Sequence, residues 1–175
     1  MSAGVALAGL GITAGRPLVA GIGDLVMGTS TGVLVTYALG SCLGITVYDP
    51  AVRVGALLHV MMPASTISPE KAAANPCLFV DTGVPLLFRR AYELGAQKQR
   101  TIVKVAGGAS PTSAGGDPDY FQIGKRNLVQ LRKLLWKNGV LLKGEDVGGT
   151  ASRTMSLSLS TGEVLVKSGG VESSL

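Results

Sequence analysis

The chain has 175 residues, 46% of them hydrophobic and 15% charged, with 25 glycines and a formal net charge of +5. That length and apolar content suit one domain with its own core. They exclude a disordered chain or a helical bundle and favour a strand-rich α/β body with many tight turns. The basic residues, Arg89–Arg90, Lys98 to Arg100, Lys125–Arg126 and Arg132–Lys133, are scattered and lack an interleaved aromatic platform. The positive excess therefore reads as a solvated surface, and no nucleic-acid partner is expected.

The first residues are small, apolar and glycine-rich, without a basic opening, and Arg16–Pro17 interrupts them. This is not a signal-peptide pattern, and residues 1–19 are expected to form a flexible leader. No apolar run reaches the ~18 residues needed to span a bilayer, so no membrane insertion is expected. A short apolar stretch, Leu25–Val26–Met27, precedes a turn at Thr31–Gly32. Val33 to Leu39 is rich in β-branched residues and reads as a strand. Gly40–Ser41–Cys42 forms a tight loop, and Leu43 to Tyr48 is the next strand, closed by Asp49–Pro50. Val54 to Met62 is apolar except for His59 and suggests a strand covered on both faces.

Residues 64 to 80 read as a loop or short helix. Asp81 or Thr82 can cap a helix whose stripe is Val84, Leu87, Phe88, Ala91 and Leu94, with Gly95 stopping it. Thr101 to Ala106 is a strand, and Gly107–Gly108 opens a loop reaching Tyr120. Leu128, Leu131, Leu134 and Leu135 mark a second amphipathic helix that ends near Asn138–Gly139. Val140 to Leu142, Arg153 to Leu159 and Glu163 to Lys167 read as strands, the last two joined by a hairpin at Thr161–Gly162. Residues 169–175 are expected to be a tail, leaving 20–168 as the folded domain. The fold class is a mixed α/β sandwich with two main helices.

The candidate chemistry is sparse. The one histidine, His59, lies 17 residues after Cys42 in an apolar strand. A buried imidazole needs hydrogen-bond partners, and a cysteine is one such partner, because a Cys–His pair activates the thiol. The turn at Asp49–Pro50 would set the two strands antiparallel and bring Cys42 and His59 to similar heights. Two ordinary core residues would give the same pattern. A third group must orient the imidazole. Thr36, Thr46 and Asp49 are the candidates near the loop, and the Thr36 hydroxyl could accept a hydrogen bond from the ring N–H. β propensity alone explains a strand threonine, and on the residues by themselves it is the better explanation of Thr36. Gly107–Gly108–Ala109 is not a phosphate loop, since no Gly-Lys-Ser/Thr element follows. Cys42, His59 and Cys77 lack zinc-site spacing. No metal or cofactor is expected. Two cysteines make a poor disulfide framework and suit a reducing cytoplasm.

An ordered set of motifs resembles the CheD family of chemoreceptor glutamine deamidases. It runs through Thr36, Leu39–Gly40–Ser41–Cys42, Val47–Tyr48–Asp49, Gly55–Ala56–Leu57–Leu58–His59, Met62–Pro63, Phe79–Val80–Asp81 and Leu94–Gly95–Ala96. It continues in Lys104, Gly107–Gly108–Ala109, Ile123–Gly124–Lys125–Arg126–Asn127, Asp146–Val147–Gly148–Gly149, Arg153 and Thr161–Gly162. The resemblance implies Cys42 as nucleophile, His59 as base and Thr36 as the third member, with Gly40 and Ser41 as loop or oxyanion support. It implies a CheD-like sandwich resembling glutamine-deamidating toxins, a cytoplasmic location, and deamidation of glutamine side chains in methyl-accepting chemotaxis receptors. The CheC phosphatase would be a further partner. A non-catalytic adaptor that binds receptors or CheC is the alternative, and a cysteine amidohydrolase acting on small amides or peptide bonds is a third reading. The chain departs from the family pattern at Ala106, at Ser110–Pro111 and at Ser152, in loops that could meet the substrate.

Overall fold

A computed structural model describes residues 16–110 and 121–175. The strands are β1 (Leu18–Val19), β2 (Leu25–Thr29), β3 (Val33–Leu39), β4 (Leu43–Asp49), β5 (Val54–Val60), β6 (Ile102–Gly107), β7 (Leu142–Val147), β8 (Arg153–Ser158), β9 (Val164–Ser168) and β10 (Val171–Ser174). The helices are α1 (Pro69–Ala74), α2 (Val80–Glu93) and α3 (Ile123–Lys137). The strands form two five-stranded sheets, ordered β1-β3-β8-β9-β10 and β2-β5-β4-β6-β7. This is the expected mixed α/β sandwich. No described helix is long and apolar enough to cross a membrane.

The β4–β5 hairpin is the middle of the molecule. Every residue in both strands is buried, because one face meets helices and the other meets the first sheet. Alternation along the strands sorts the side chains. Leu43, Ile45 and Val47 of β4 and Val54, Ala56, Leu58 and Val60 of β5 pack with Val84, Leu87 and Ala91 of α2 and Leu128, Leu131 and Leu135 of α3. Tyr48 and Leu57 face the other way, toward Leu34, Met155, Leu157 and Val166. His59 shares the parity of Leu57, so the fold aims it into the layer between the sheets. Each large aliphatic side chain buried in these layers stabilises the fold by roughly 1.5–3 kcal/mol.

β3 contains a bulge. Thr36 pairs with Met155 and Leu39 with Arg153, so β3 uses one more residue than β8 over that interval. Ala38 takes up the extra length with φ 55°. The bulge reverses the alternation, so Thr36 and Leu39 both reach the inter-sheet layer. The chain then enters the Gly40–Ser41–Cys42 loop already pointed inward.

Several expectations shift. The second helix begins at Val80 after Phe79, without a side-chain cap. Asp81 is not its cap, because its carboxylate is already taken by the Ser65 amide and hydroxyl. Thr82 is not the cap either, since its hydroxyl donates to the Pro76 carbonyl. The expected tail is instead β10, paired antiparallel with β9. Gly169 and Gly170, at φ 56° and 80°, make the two-residue turn that such a hairpin needs. Leu18–Val19, at the end of the expected leader, pair in parallel with Leu34–Val35. Residues 1–15, and positions 111–120 of the expected loop, lie outside the described residues. β6, β7 and β9 begin one or two residues later than the sequence suggests.

Asp49 closes the central hairpin. Its fully buried carboxylate accepts from the Ala51 amide (2.9 Å), the Gln97 amide (2.9 Å) and Arg100 Nε (3.0 Å), and it pairs with the Arg100 guanidinium at 2.8 Å. Burial alone would raise its pKa, but Arg100 and the two amides outweigh it and hold the carboxyl below the ordinary aspartate value. The stabilisation is therefore present above the ordinary aspartate range and is lost as pH falls through the lowered value. Asp49→Ala should destabilise the fold by about 2–4 kcal/mol, because two amides and a partly buried guanidinium lose their partner. Urea unfolding at pH 7 measures this, and the gap between the two proteins should narrow at acid pH.

Candidate active site

Thr36 and His59 come from different sheets and meet in the layer between them. Thr36 Oγ1 lies 2.7 Å from His59 Nδ1 and 2.7 Å from the Ala20 carbonyl oxygen. A carbonyl can only accept, and a hydroxyl has a single proton. The Thr36 proton is therefore spent on Ala20, and Thr36 must accept from His59. That fixes the tautomer: Nδ1 carries the proton and Nε2 is a bare lone pair. Nε2 is buried with no partner among the described residues. The imidazole is thus held as a base with one unused acceptor.

Three backbone anchors keep these groups in place. The Ala20 amide donates to the Val35 carbonyl at 2.8 Å, which sets the Ala20 carbonyl beside Thr36. The His59 amide donates to the Asp24 carbonyl, and its carbonyl accepts from the Gly23 amide. β2 therefore straps β5 along its length.

Cys42 lies just before the first β4 rung. Gly44 pairs with His59 and Leu43 with Val60. Cys42 is two residues from Gly44, on the same face, and it packs in the inter-sheet cluster with Leu39, Leu57 and Met155. Diagonal neighbours of this kind have backbones about 7–8 Å apart, and among the described residues no hydrogen bond joins the Cys42 thiol to His59 Nε2. Gly44 is what opens the gap. A Cβ there would come within 2.9 Å of Leu39 Cδ1, 3.0 Å of Met155 Sδ and 3.2 Å of Thr36 Cγ2. A side chain at 44 would crowd all three, Leu39 and Met155 most closely.

The Cys42 loop is pinned by its carbonyls. Gly40 O accepts from the Ala109 amide (2.8 Å), and Cys42 O accepts from the Gly108 amide (2.9 Å). Gly107 has φ 112°, and a Cβ on it would collide with the Cys42 carbonyl oxygen, so the Gly107–Gly108 pair lets β6 close on the loop. Ser41 O accepts from Asn127 Nδ2 at 3.0 Å. The Gly40 amide donates to Ala38 O, whereas the Ser41 and Cys42 amides donate to no carbonyl among the described residues.

Burial sets the charge state. Desolvation raises the Cys42 thiol above its ordinary 9.0, opposed only by its own amide. Desolvation likewise lowers His59 below 6.5, against the hydrogen bonding at Ala20 and the charge of Asp24. Both shifts favour a neutral thiol beside a neutral imidazole over a thiolate–imidazolium pair.

The structure separates the three candidates for the orienting group. Thr46 donates to the Lys104 carbonyl and Asp49 is occupied at the far end of the hairpin, so Thr36 alone touches His59. Sequence reasoning missed the shaping roles of Ala20, Gly44 and Asn127. Only Asn127 left a signal. It sits one helical turn before Leu131, on the buried stripe that Leu131 and Leu135 continue, and a polar residue on such a stripe calls for a reason. Among the described residues no cluster of three or more acidic, cysteine or histidine side chains is placed to hold a metal. A cavity of about 400 Å³ between α2 and α3, lined by Val84, Phe88, Tyr92 and Leu134, lies on the opposite face of the second sheet from Cys42.

Comparison with known proteins identifies relatives over most of the chain. Residues 61–168 match the family model described as CheD chemotactic sensory transduction. The chain is 49% identical over 154 residues to "Probable chemoreceptor glutamine deamidase CheD 1" of Syntrophus aciditrophicus, covering 87% of this chain and 94% of that relative. It is 45% identical to the "Probable chemoreceptor glutamine deamidase CheD" of Solibacter usitatus, covering 90% and 92%. An archaeal relative of the same name from Pyrococcus abyssi is 41% identical, covering 87% and 91%.

A neutral resting pair has a measurable signature. Alkylation of Cys42 by iodoacetamide, followed by peptide mass mapping, should rise continuously with pH toward and beyond 9.0. A plateau already reached near pH 6 would show a preformed thiolate and contradict this charge state.

Proposed function

The chain belongs to the CheD family, and from that premise we propose that it deamidates glutamine side chains of methyl-accepting chemotaxis receptors to glutamate by cysteine catalysis. The observation that carries the reading is the Ala20–Thr36–His59 relay, which leaves a bare Nε2 in the layer that also holds Cys42. The names of the relatives support the reaction. Cys42 and Cys77 are both free of disulfides, which suits a cytoplasmic site of action. In this reading the catalytic domain is the expected 20–168 extended by β1 and β10, which complete the first sheet. The CheC phosphatase, implied by the family resemblance, is a second proposed partner.

His59 Nε2 takes the Cys42 proton as sulfur attacks the carboxamide carbon of the substrate. Because the resting pair is neutral, proton transfer accompanies attack. The C–N bond then breaks, and the nitrogen leaves as ammonia with the proton held by His59. A thioester remains. Water gives a proton to His59 Nε2 and attacks the thioester carbon, the C–S bond breaks to release the glutamate side chain, and the sulfur takes the proton back from His59 to restore the thiol. The Ser41 and Cys42 amides serve as oxyanion donors, and Gly40 supports the loop through its own two hydrogen bonds. The product adds one negative charge to a receptor helix.

A receptor cytoplasmic fragment incubated with the protein should gain glutamate at specific glutamines, read by mass spectrometry, and the Cys42→Ala variant should convert none. Conversion by Cys42→Ala would overturn the nucleophile, and binding without conversion by the natural chain would favour the adaptor. Activity requires neutral His59, so kcat/KM should fall as pH drops through a value below 6.5, with no descending limb between about 7 and 9. Thr36→Val keeps the shape but frees the imidazole. It should lower kcat by about one to two orders of magnitude, less than the 10²–10⁴ that a general base supplies, while leaving the fold intact by circular dichroism.

A further inference from the structure

Asn127 is fully buried, and both protons of its side-chain amide are placed. Nδ2 donates to Ser41 O at 3.0 Å and to Met61 O at 3.1 Å. Met61 and Ser41 lie just beyond the last β4–β5 rung, Leu43 with Val60. The side chain therefore adds a rung where the ladder stops, and it ties the Cys42 loop to the strand that carries His59. Its Oδ1 is buried with no partner among the described residues. A flipped amide would set that oxygen against two carbonyls, so this orientation is forced. The side chain is held for what it donates, with its acceptor left unsatisfied.

The peptide bond is planar, and in a trans unit C=O and N–H point in opposite directions. Ser41 O and the Cys42 N–H belong to one such unit. Holding the carbonyl on Asn127 turns the amide to the other side, where Cys42's own sulfur lies. The neighbouring unit is set in the same way, with Gly40 O on the Ala109 amide and the Ser41 N–H turned out. Nothing else in the described residues holds the Ser41 carbonyl.

We infer that Asn127 is a positioning residue that orients the Cys42 amide as an oxyanion donor by gripping the Ser41 carbonyl from behind. This rests on the deamidase reading above and extends it to a residue on α3 that touches neither substrate nor sulfur. Attack on a carboxamide generates an oxyanion, whereas alkylation by iodoacetamide displaces iodide and generates none. Loss of Asn127 should therefore separate the two reactions of the same thiol.

The test compares the natural chain, Cys42→Ala, Asn127→Ala and Asn127→Ser in full-length form. Receptor-fragment deamidation gives kcat and KM, and mass-mapped iodoacetamide labelling gives the Cys42 alkylation rate. The expected result is a fall in kcat of about 10²–10³-fold for Asn127→Ala, with KM and the alkylation rate within twofold of the natural chain. If Asn127→Ala fails to fold, Asn127→Ser is read instead, since its smaller cavity and hydroxyl leave the carbonyls solvated. A kcat within twofold of the natural chain in a folded variant overturns the inference. Alkylation falling in parallel with kcat also overturns it, because Asn127 would then merely keep the thiol in place. Absence of turnover by the natural chain, or turnover by Cys42→Ala, overturns the deamidase reading itself and is distinguishable from both.

Discussion

A threonine hydroxyl has one proton to give, and in this protein that proton goes to a backbone carbonyl. The rest of the site depends on it. Because Thr36 donates to Ala20, it can only accept from His59, and a neutral imidazole with Nδ1 protonated has only Nε2 left as a base. No carboxylate is needed to set this state. An acid in the same place would also stabilise the imidazolium, whereas a hydroxyl fixes the tautomer while leaving the ring easier to deprotonate. That choice agrees with the downward shift that burial imposes on His59.

The sandwich brings that hydroxyl to that ring. Thr36 belongs to the first sheet and His59 to the second, so the bond is also a spacer between the layers. Three local devices make the approach possible. The bulge at Ala38 turns β3 inward, the missing side chain at Gly44 leaves the gap, and the short β1 carries Ala20 to the outer edge of β3. Each is a backbone feature. A larger residue at any of them would act on the catalytic geometry without touching the catalytic atoms, and much of the cost would be felt as overpacking between sheets.

The legible part of this arrangement was the part written in periodicity and in short-range motifs. Strands β3, β4 and β5 and helices α2 and α3 announce themselves through β-branched runs and apolar stripes. The Asp49–Pro50 turn made the antiparallel pairing of the Cys42 and His59 strands readable in advance. What stayed illegible was long-range or carried by the backbone. Thr36 is 23 residues from His59, and its hydroxyl means nothing until the second sheet lies over the first, which is why β propensity explained it better than function did until the ordered motifs were compared. Ala20 contributes only a carbonyl, which every residue has. The strand at Val171–Ser174 is polar and exposed, so hydrophobic pattern could not find it, and the Gly169–Gly170 turn was the one available cue.

A buried, neutral site has a kinetic logic of its own. Water would stabilise a thiolate, but it would also solvate the oxyanion and dull every dipole aimed at it. Here the thiol rests uncharged, and in the proposed reaction negative charge would appear first on the substrate oxygen as the proton moves to His59. The groups proposed to meet this charge are backbone amides whose carbonyl ends are already fastened on the far side, by Ala109 and Asn127. Little reorganisation remains to be done at the moment of attack, which is the condition under which fixed dipoles stabilise a transition state most. The same fastening makes the loop intolerant of change at Gly107 and Gly108, since both of the contacts they permit lie directly behind Cys42.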